Sequence, residues 1–328
     1  TMLCLWKYIT IYLFFSINLV RLQCFKNLTW SEYKILHNKS FSILLEAKRR
    51  LFWQQNMKKI IEHNEQAARG EHSYRLAPNH LADLHTRHYH RKLMVLRPSR
   101  RHFQDTLLEL PEHELETLPL TFDWRDHGLL TQPLDQQDCG SCYAFSVAAA
   151  VQAQLFRKNG SLENLSPQQL VDCSVLAGNY GCNGGSLRST ARYVQSSGLM
   201  LESDYPYRAR QSACKFNLLK QRVHINSWQI LPARDEFALQ AAVVTKGPVV
   251  VALNASPQTF QLYHSGVYDD PNCPDDHLNH AMLLIGYTKD AWILKNWWTN
   301  RWGHDGYMYL RRDINRCGVA DYAMIVQI

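Results

Sequence analysis

The octapeptide CGSCYAFS at residues 139–146 decides the fold of this chain. The Ala-rich segment SVAAAVQAQLFRKN continues from it, and together they predict a helix that begins at Cys142 and stops at Gly160, which has no Cβ. Cys142 would then lie at a helix N-terminus, where free backbone N–H groups and the helix dipole favour a thiolate. Since the thiolate is the form of cysteine that attacks a carbonyl carbon, Cys142 is a candidate nucleophile.

The C-x-x-C spacing by itself leaves other interpretations open: a zinc or redox pair formed with Cys139, or a buried or disulfide-bonded cysteine. Three distant residues favour the nucleophile. Gln136 carries an amide that could donate to an oxyanion together with the backbone N–H of Cys142. His280, in LNHAMLLIGY, and Asn296, in WILKNWW, stand at the edges of apolar runs that predict strands.

At this point the chain resembles the papain-like cysteine peptidases. The resemblance is supported by further short strings, which are FDWR at 122–125, DC at 172–173, GCNGG at 181–185, FQLY at 260–263 and WGHDGY at 302–307. It implies that Cys142 is the nucleophile, His280 the acid and base, Asn296 the orienter of the imidazole and Gln136 the oxyanion amide. It also implies that no metal or organic cofactor is needed.

The same resemblance implies a fold class and a substrate site. We expect an α+β, papain-like two-lobed fold: a helical left domain that carries Cys142 and a β-barrel-like right domain that carries His280. The substrate would be a polypeptide, and a bulky apolar side chain of it would enter a pocket. Trp298 would cover the histidine–asparagine pair. The residues implied for substrate binding are Gly184, Gly185, Leu187, Ala252, Leu278, Trp298 and Tyr322.

Residues 25–117 indicate a helical inhibitory propeptide ahead of a peptidase domain at 118–328. Side chains at spacings of three or four resemble the ERFNIN motif of the family on one long helix, with tryptophan in place of its phenylalanine. They are Glu46, Arg50, Trp53, Asn56, Ile60 and Asn64. The chain also resembles a second propeptide motif of the family, at Ala77, Asn79, Leu81 and Asp83. The chain's own propeptide is thus expected to act as an intramolecular inhibitor, with an extended tail in the cleft.

The N-terminus predicts entry into the secretory pathway. Lys7 precedes an apolar run at 8–20 that is too short for a confident membrane span, so residues 1–24 are interpreted as a signal peptide and the mature protein as free of a span. We therefore expect a lysosomal or extracellular protein that functions as a monomer and binds cystatin-type inhibitors. Glycosylation sequons are present at Asn27, Asn38, Asn159, Asn164 and Asn254.

Disulfides are possible in that compartment. If Cys4 and Cys24 belong to the signal region and Cys142 is free, six cysteines remain, and sequence alone allows all fifteen of their pairings. The family resemblance implies Cys139–Cys182, Cys173–Cys214 and Cys273–Cys317.

Charge excludes one class of partner. The formal net charge of +7 resides mostly in residues 25–117, and no basic helix with base-reading side chains is evident, so we expect no nucleic acid partner. Nine of the fifteen histidines also lie in 25–117, which suggests that acid releases the propeptide.

Two departures from the family put the geometry around Asn296 in question. The usual NSWG reads NWWT, with Trp297 for serine and Thr299 for glycine, and a β-branched residue would be strained if φ were positive. A catalytically impaired homologue that acts as a secreted binding or inhibitory protein is therefore the alternative. A narrower likeness to one cathepsin subgroup depends on LPLTFDWRDHG at 118–128, QQ at 136–137 and NYGCNGGS at 179–186.

Overall fold

The computed structural model describes residues 27–97, 107–108, 118–129 and 132–328. The expected signal peptide at 1–24, with Cys4 and Cys24, lies outside the described residues, and so does most of the segment between residue 98 and the expected domain boundary at 117. No helix in the described part of the chain is long and apolar enough to cross a bilayer.

The N-terminal region forms a small helical unit. Its elements are α1 (Trp30–Leu36), α2 (Ile43–Ala68), β1 (Tyr74–Leu76) and α3 (Thr86–Leu93). The predicted long helix is confirmed as α2, which buries Trp53, Asn56, Ile60 and Asn64 while Arg50 stays exposed.

The left lobe is helical, as expected. Its helices are α4 (Cys142–Asn159), α5 (Pro167–Cys173) and α6 (Leu187–Ser197), accompanied by a two-stranded sheet of β3 (Leu199–Met200) and β4 (Gln221–Val223). Helix α4 ends where Gly160 adopts φ 71°, a left-handed conformation that costs glycine little. Helix α5 begins because the Ser166 hydroxyl accepts from the Gln169 N–H and Pro167 occupies the first turn.

The right lobe is built on one large sheet. Its strands are β5 (Ser227–Ile230), β6 (Val249–Leu253), β7 (Tyr263–Tyr268), β8 (His280–Tyr287), β9 (Ala291–Lys295), β10 (Tyr307–Arg311) and β11 (Tyr322–Gln327). Two helices, α7 (Glu236–Thr245) and α8 (Gln258–Gln261), connect them, and β2 (Phe122–Asp123) pairs with β8. The strand order is β1-β7-β10-β9-β8-β6-β11-β5.

This sheet is open, which corrects the expected barrel-like right domain. In the described residues, β1 and β5 end the strand order and do not pair with each other. The outer edge of β7 is occupied by β1 of the N-terminal helical unit, with Tyr74 opposite Gly266. Because that edge already has a hydrogen-bonding partner, it is unavailable for closing a ring of strands.

Strand β8 separates the two hydrophobic cores of the protein. Ala281, Leu283 and Ile285 belong to the core shared with α4, whereas Met282 and Leu284 belong to the core shared with the N-terminal helical unit. All eight residues of β8 are buried, as expected for a strand covered on both faces. The strand therefore holds its first residue, His280, beside the helix that begins with Cys142.

Candidate active site

Cys142 lies at the first residue of α4 and is completely buried. It is the free cysteine of the described residues, because Cys139 is bonded to Cys182. That bond excludes a zinc or redox pair of Cys139 with Cys142. The other two disulfides are Cys173–Cys214 and Cys273–Cys317, the pairs implied by the family resemblance. Within the described residues, no cluster of three or more histidine, cysteine or acidic side chains is arranged as a metal site.

His280 and Asn296 are brought together by neighbouring strands. His280 is the first residue of β8 and Asn296 directly follows β9, which pairs with β8 in antiparallel fashion. The His280 Nε2 lies 2.8 Å from Asn296 Oδ1, and the same oxygen accepts from the Trp297 backbone N–H at 2.9 Å. Since that oxygen can only accept, Nε2 carries the hydrogen, and Nδ1 remains for proton exchange with the thiol.

Trp298 and Gln136 complete the surroundings of the pair. The Trp298 ring stacks on the His280 imidazole at a centroid distance of 4.9 Å, and its Nε1 donates to Gln136 Oε1 at 3.1 Å. The Gln136 Nε2 donates to the Cys139 carbonyl at 2.9 Å. An amide nitrogen has two hydrogens, so one remains for a substrate oxygen.

Tyr207 is a further contributor that the sequence analysis missed. Its hydroxyl donates to the Gln136 carbonyl at 2.8 Å and lies 2.7 Å from the Ser141 hydroxyl. It thereby links the loop that holds the amide to the residue that precedes Cys142. No pattern around Tyr207 distinguishes it in the sequence, because its partners are far along the chain.

Four of the residues expected to line the substrate pocket share one hydrophobic cluster with Cys142. Leu187, Ala252 and Tyr322 belong to the same buried cluster as Cys142, and Leu278 packs against it. Ala252 of β6 is opposite both Tyr322 of β11 and Ala281 of β8.

Gly184 and Gly185 face residues 95–97, which follow α3 and cross the site. The Arg97 N–H donates to the Gly185 carbonyl at 2.9 Å and the Leu96 N–H to the Asn279 carbonyl at 3.0 Å. A Cβ at residue 184 would collide with the Val95 carbonyl oxygen, so glycine permits this close approach. Substrate cannot occupy the site while this tail is present.

Burial reverses the ionisation that the helix N-terminus predicts. It raises the pKa of Cys142 to about 12, against the smaller lowering effect of nearby backbone N–H groups, including that of Ala281. Burial also lowers the pKa of His280 to about 4, opposed by the Asn296 hydrogen bond and the Leu93 carbonyl. The expected thiolate is therefore absent in the covered state, and at neutral pH thiol and imidazole are both neutral.

Both departures from the family pattern have visible consequences. Thr299 has φ 59°, in the left-handed region where a β-branched residue is strained. The Trp297 side chain is completely buried between the lobes.

Comparison with known proteins places these features in a family. Residues 118–327 match the papain family cysteine proteases, and residues 30–89 match the cathepsin propeptide inhibitor domain. Cathepsin K of Mus musculus is 40% identical over 303 residues, which cover 90% of this chain and 91% of the relative. Cathepsin L of Sarcophaga peregrina is 39% identical over 306 residues, covering 89% and 90%.

Solved structures agree. The digestive procathepsin L 3 of the Tenebrio molitor larval midgut superposes with a TM-score of 0.85 at 34% identity, covering 91% of this chain and 98% of that one. The procathepsin L2 proteinase of the same tissue gives 0.86 at 31% identity, with the same two coverages. The chain thus belongs to the papain family of cysteine proteases, as a zymogen that carries its own propeptide inhibitor domain.

Proposed function

We propose that peptide hydrolysis by this cysteine endopeptidase proceeds through a thioester on Cys142. The observation that carries the proposal is the hydrogen bond of 2.8 Å between His280 and Asn296, beneath Trp298 and beside the helix that begins with Cys142. It fixes the imidazole with Nδ1 as the nitrogen available to the thiol, which is the arrangement that nucleophilic catalysis by cysteine needs.

The steps follow from these positions. Cys142 gives its proton to His280 Nδ1, and the thiolate attacks the scissile carbonyl carbon. The backbone N–H of Cys142 and the free Gln136 N–H stabilise the oxyanion. When the tetrahedral intermediate collapses, the C–N bond breaks, His280 protonates the leaving amine and a thioester remains. His280 then takes a proton from water, whose oxygen attacks the thioester. The C–S bond breaks, the acid product leaves, and the imidazolium of His280 returns its proton to the Cys142 sulfur to regenerate the thiol.

We propose three processing regions: a signal peptide at 1–24, a propeptide at 25–117 and a peptidase domain at 118–328. The tail at 95–97 supports this division, because it lies across the site in the zymogen. Its removal would return water to Cys142 and His280, so their pKa values would move back towards each other and permit the thiolate.

The test uses Cys142→Ala, His280→Ala and Gln136→Ala in the full chain, each processed in trans by the wild-type peptidase, which is then removed. We expect no turnover for the first two and a fall of about 10² in kcat for the third, as for loss of one oxyanion donor. Full activity of Cys142→Ala would contradict the proposal. An inactive but fully processed wild type would instead favour an impaired homologue that acts as a binding or inhibitory protein.

We propose that the pocket of Leu187, Ala252, Leu278 and Tyr322, with Gly184 and Gly185 at its entrance, prefers a bulky apolar side chain two residues before the scissile bond. None of the four lining side chains is charged, and burial of such a group contributes about 1.5–3 kcal/mol. A peptide library should therefore select leucine, valine or phenylalanine at that position. Selection of arginine or aspartate would contradict the assignment.

The remaining proposals concern cellular context. We propose that the enzyme reaches the lysosome or the extracellular space, that it is a monomer and that cystatin-type proteins inhibit it. We also propose that it groups with cathepsin O, because of the sequence segments at 118–128 and 179–186. Immunolocalisation, sedimentation and titration with a cystatin test the first three. A phylogenetic tree of peptidase domains that grouped the chain with cathepsins K or L would contradict the last.

Glycan attachment is expected at exposed sequons. Asn27, Asn38, Asn159 and Asn164 are exposed, whereas Asn254 is 2% exposed and its side chain donates to the Pro274 carbonyl. We propose that the four exposed sequons carry glycans and Asn254 does not. Mass spectrometry of peptides from the secreted zymogen would test this, and a glycan on Asn254 would contradict it.

A further inference from the structure

The indole of Trp297 joins the two halves of the catalytic pair. Its Nε1–H points at two acceptors, the Ser146 hydroxyl at 3.0 Å and the Ala281 carbonyl at 3.0 Å. Ser146 lies one turn after Cys142 on the same face of α4, and Ala281 directly follows His280 on β8. One N–H thus links the helix that carries the nucleophile to the strand that carries the base.

The backbone of Trp297 is bonded to the other two site residues. Its N–H donates to Asn296 Oδ1 at 2.9 Å, and its carbonyl accepts from the Gln136 N–H at 2.9 Å. The backbone N–H, the backbone carbonyl and the indole N–H of Trp297 are therefore each hydrogen-bonded to a site residue or to the residue that follows one in the sequence.

The ring is also held rigidly by aromatic packing. It stacks on Phe145 at 5.7 Å with an interplanar angle of 27°, and Phe145 in turn packs edge-on against Tyr207 at 4.7 Å. The Lys295 ammonium lies 5.9 Å from the indole centroid on the right-lobe side. Because the side chain is completely buried, its hydrogen bonds face no competition from bulk water.

We propose that Trp297 is a positioning residue that sets the separation between the Cys142 sulfur and the His280 imidazole. It touches neither the substrate nor the reacting atoms and acts through Ser146 and Ala281. The serine that the family usually has here carries a single atom beyond Cβ, whereas an indole N–H reaches across the interface between the lobes. The inference depends on the proposed roles of Cys142 and His280.

The competing explanation is that Trp297 only fills the core. A filling role predicts that substitution lowers the melting temperature without altering the ionisation of the catalytic pair. A positioning role predicts a change in that ionisation, because an imidazolium farther from the sulfur stabilises the thiolate less and raises the pKa of the thiol.

The experiment uses full-length Trp297→Phe, Ser146→Ala and the double variant, processed in trans, with kcat and KM measured from pH 4 to 8. Ser146→Ala removes the link to α4 while the indole keeps the Ala281 carbonyl, so no buried donor is left unpaired. Trp292→Phe is the matched control, because this buried tryptophan donates to Glu236, within the right lobe.

We expect kcat to fall about tenfold in Trp297→Phe and somewhat less in Ser146→Ala, the scale of one lost hydrogen bond. KM should stay within about twofold, and the acid limb of kcat/KM should move to higher pH. The double variant should be no worse than Trp297→Phe, since both changes break one link. Trp292→Phe should leave the profile unchanged.

An unchanged kcat and acid limb in Trp297→Phe and Ser146→Ala would overturn the positioning role, even if both variants melt earlier. If Trp297→Phe does not fold, Ser146→Ala alone decides. Failure of the underlying mechanism is distinguishable, because it would appear as residual activity in Cys142→Ala.

Discussion

At the scale of single residues, Thr299 combines a β-branched side chain with a left-handed backbone. Its φ is 59°, and its N–H donates to the Leu134 carbonyl at 3.0 Å, which holds the loop after Trp298 in place. Its hydroxyl accepts from the Arg301 N–H at 3.1 Å. For a residue with a Cβ, this conformation costs about 1–2 kcal/mol, so the loop stores strain next to the site.

We predict that Thr299→Gly stabilises the zymogen and Thr299→Val destabilises it. Glycine relieves the strain but loses about 0.5–1 kcal/mol in unfolded-state entropy and one exposed hydrogen bond, which leaves a gain of up to about 1 kcal/mol. Valine keeps the strain and loses the hydroxyl. Thermal unfolding of the full chain would check this, and a glycine variant that melts below the valine variant would contradict it.

At the scale of elements, α2 supports the propeptide through side-chain amides that bond to backbone. Asn56 donates to the Ala82 carbonyl at 2.7 Å and also accepts from Gln258 of the peptidase domain. Asn64 donates to the Leu76 carbonyl at 2.8 Å and accepts from the Leu76 N–H at 2.9 Å. The motif asparagines therefore satisfy buried peptide groups of the chain that follows α2.

We predict that Asn56→Ala weakens the inhibited state. The substitution removes the Asn56 donor from the buried Ala82 carbonyl and the Asn56 acceptor from the half-buried Gln258 amide N–H, which costs about 1–3 kcal/mol. The variant zymogen should melt earlier and begin autoprocessing at a higher pH than wild type. Arg50→Ala, at an exposed position on the same helix, is the control and should behave as wild type. Equal behaviour of the two variants would refute the prediction.

At the scale of the whole molecule, buried propeptide histidines connect acid to release. Burial lowers the pKa of His37 and of His63 to about 4 and that of His80 well below its usual value. The positive charges of Lys39 and of Arg301 in the peptidase domain also lower the pKa of both His37 and His80. The negative charge of Asp83 acts in the opposite direction on the pKa of His37. The charges of His72 and Lys59 also lower the pKa of His63, and the charge of Asp270 raises it.

The sign of the pH effect follows from these shifts. Each ring is held neutral in the docked propeptide, whereas a free histidine has a pKa of about 6.5. At a pH between the docked and the free pKa values, the undocked chain therefore binds more protons than the docked chain. Docking stability is therefore complete above the free pKa and is lost as pH falls from about 6.5 towards 4. The histidines responsible are the buried ones, whereas His85, in the cluster around the second motif, is exposed.

We predict that changing His37, His63 and His80 together to Gln moves the onset of autoprocessing to lower pH. Glutamine preserves a hydrogen-bond donor but cannot be protonated. The onset would be followed on full-length protein between pH 7 and 4, with His85→Gln as the matched control. An unchanged onset in the triple variant would rule out these three histidines as the pH sensor and leave carboxylate protonation as the explanation.

The sequence by itself determined the features that depend on neighbouring residues or on a regular spacing of side chains. The course of α4 and its stop at Gly160 follow from alanine-rich propensity and the glycine C-cap, and the start of α5 follows from the Ser166 N-cap. The strand edges that carry His280 and Asn296 follow from apolar runs. These features depend on residues within a few positions of each other, so they are visible before folding.

Only the tertiary structure decided the properties that arise between distant segments. A propeptide strand pairs with the edge of β7, and burial in the folded chain keeps Cys142 neutral. The indole N–H of Trp297 donates to Ser146, which lies 151 positions earlier in the chain. Desolvation and inter-lobe hydrogen bonds are set by which surfaces meet, and no local pattern encodes that meeting.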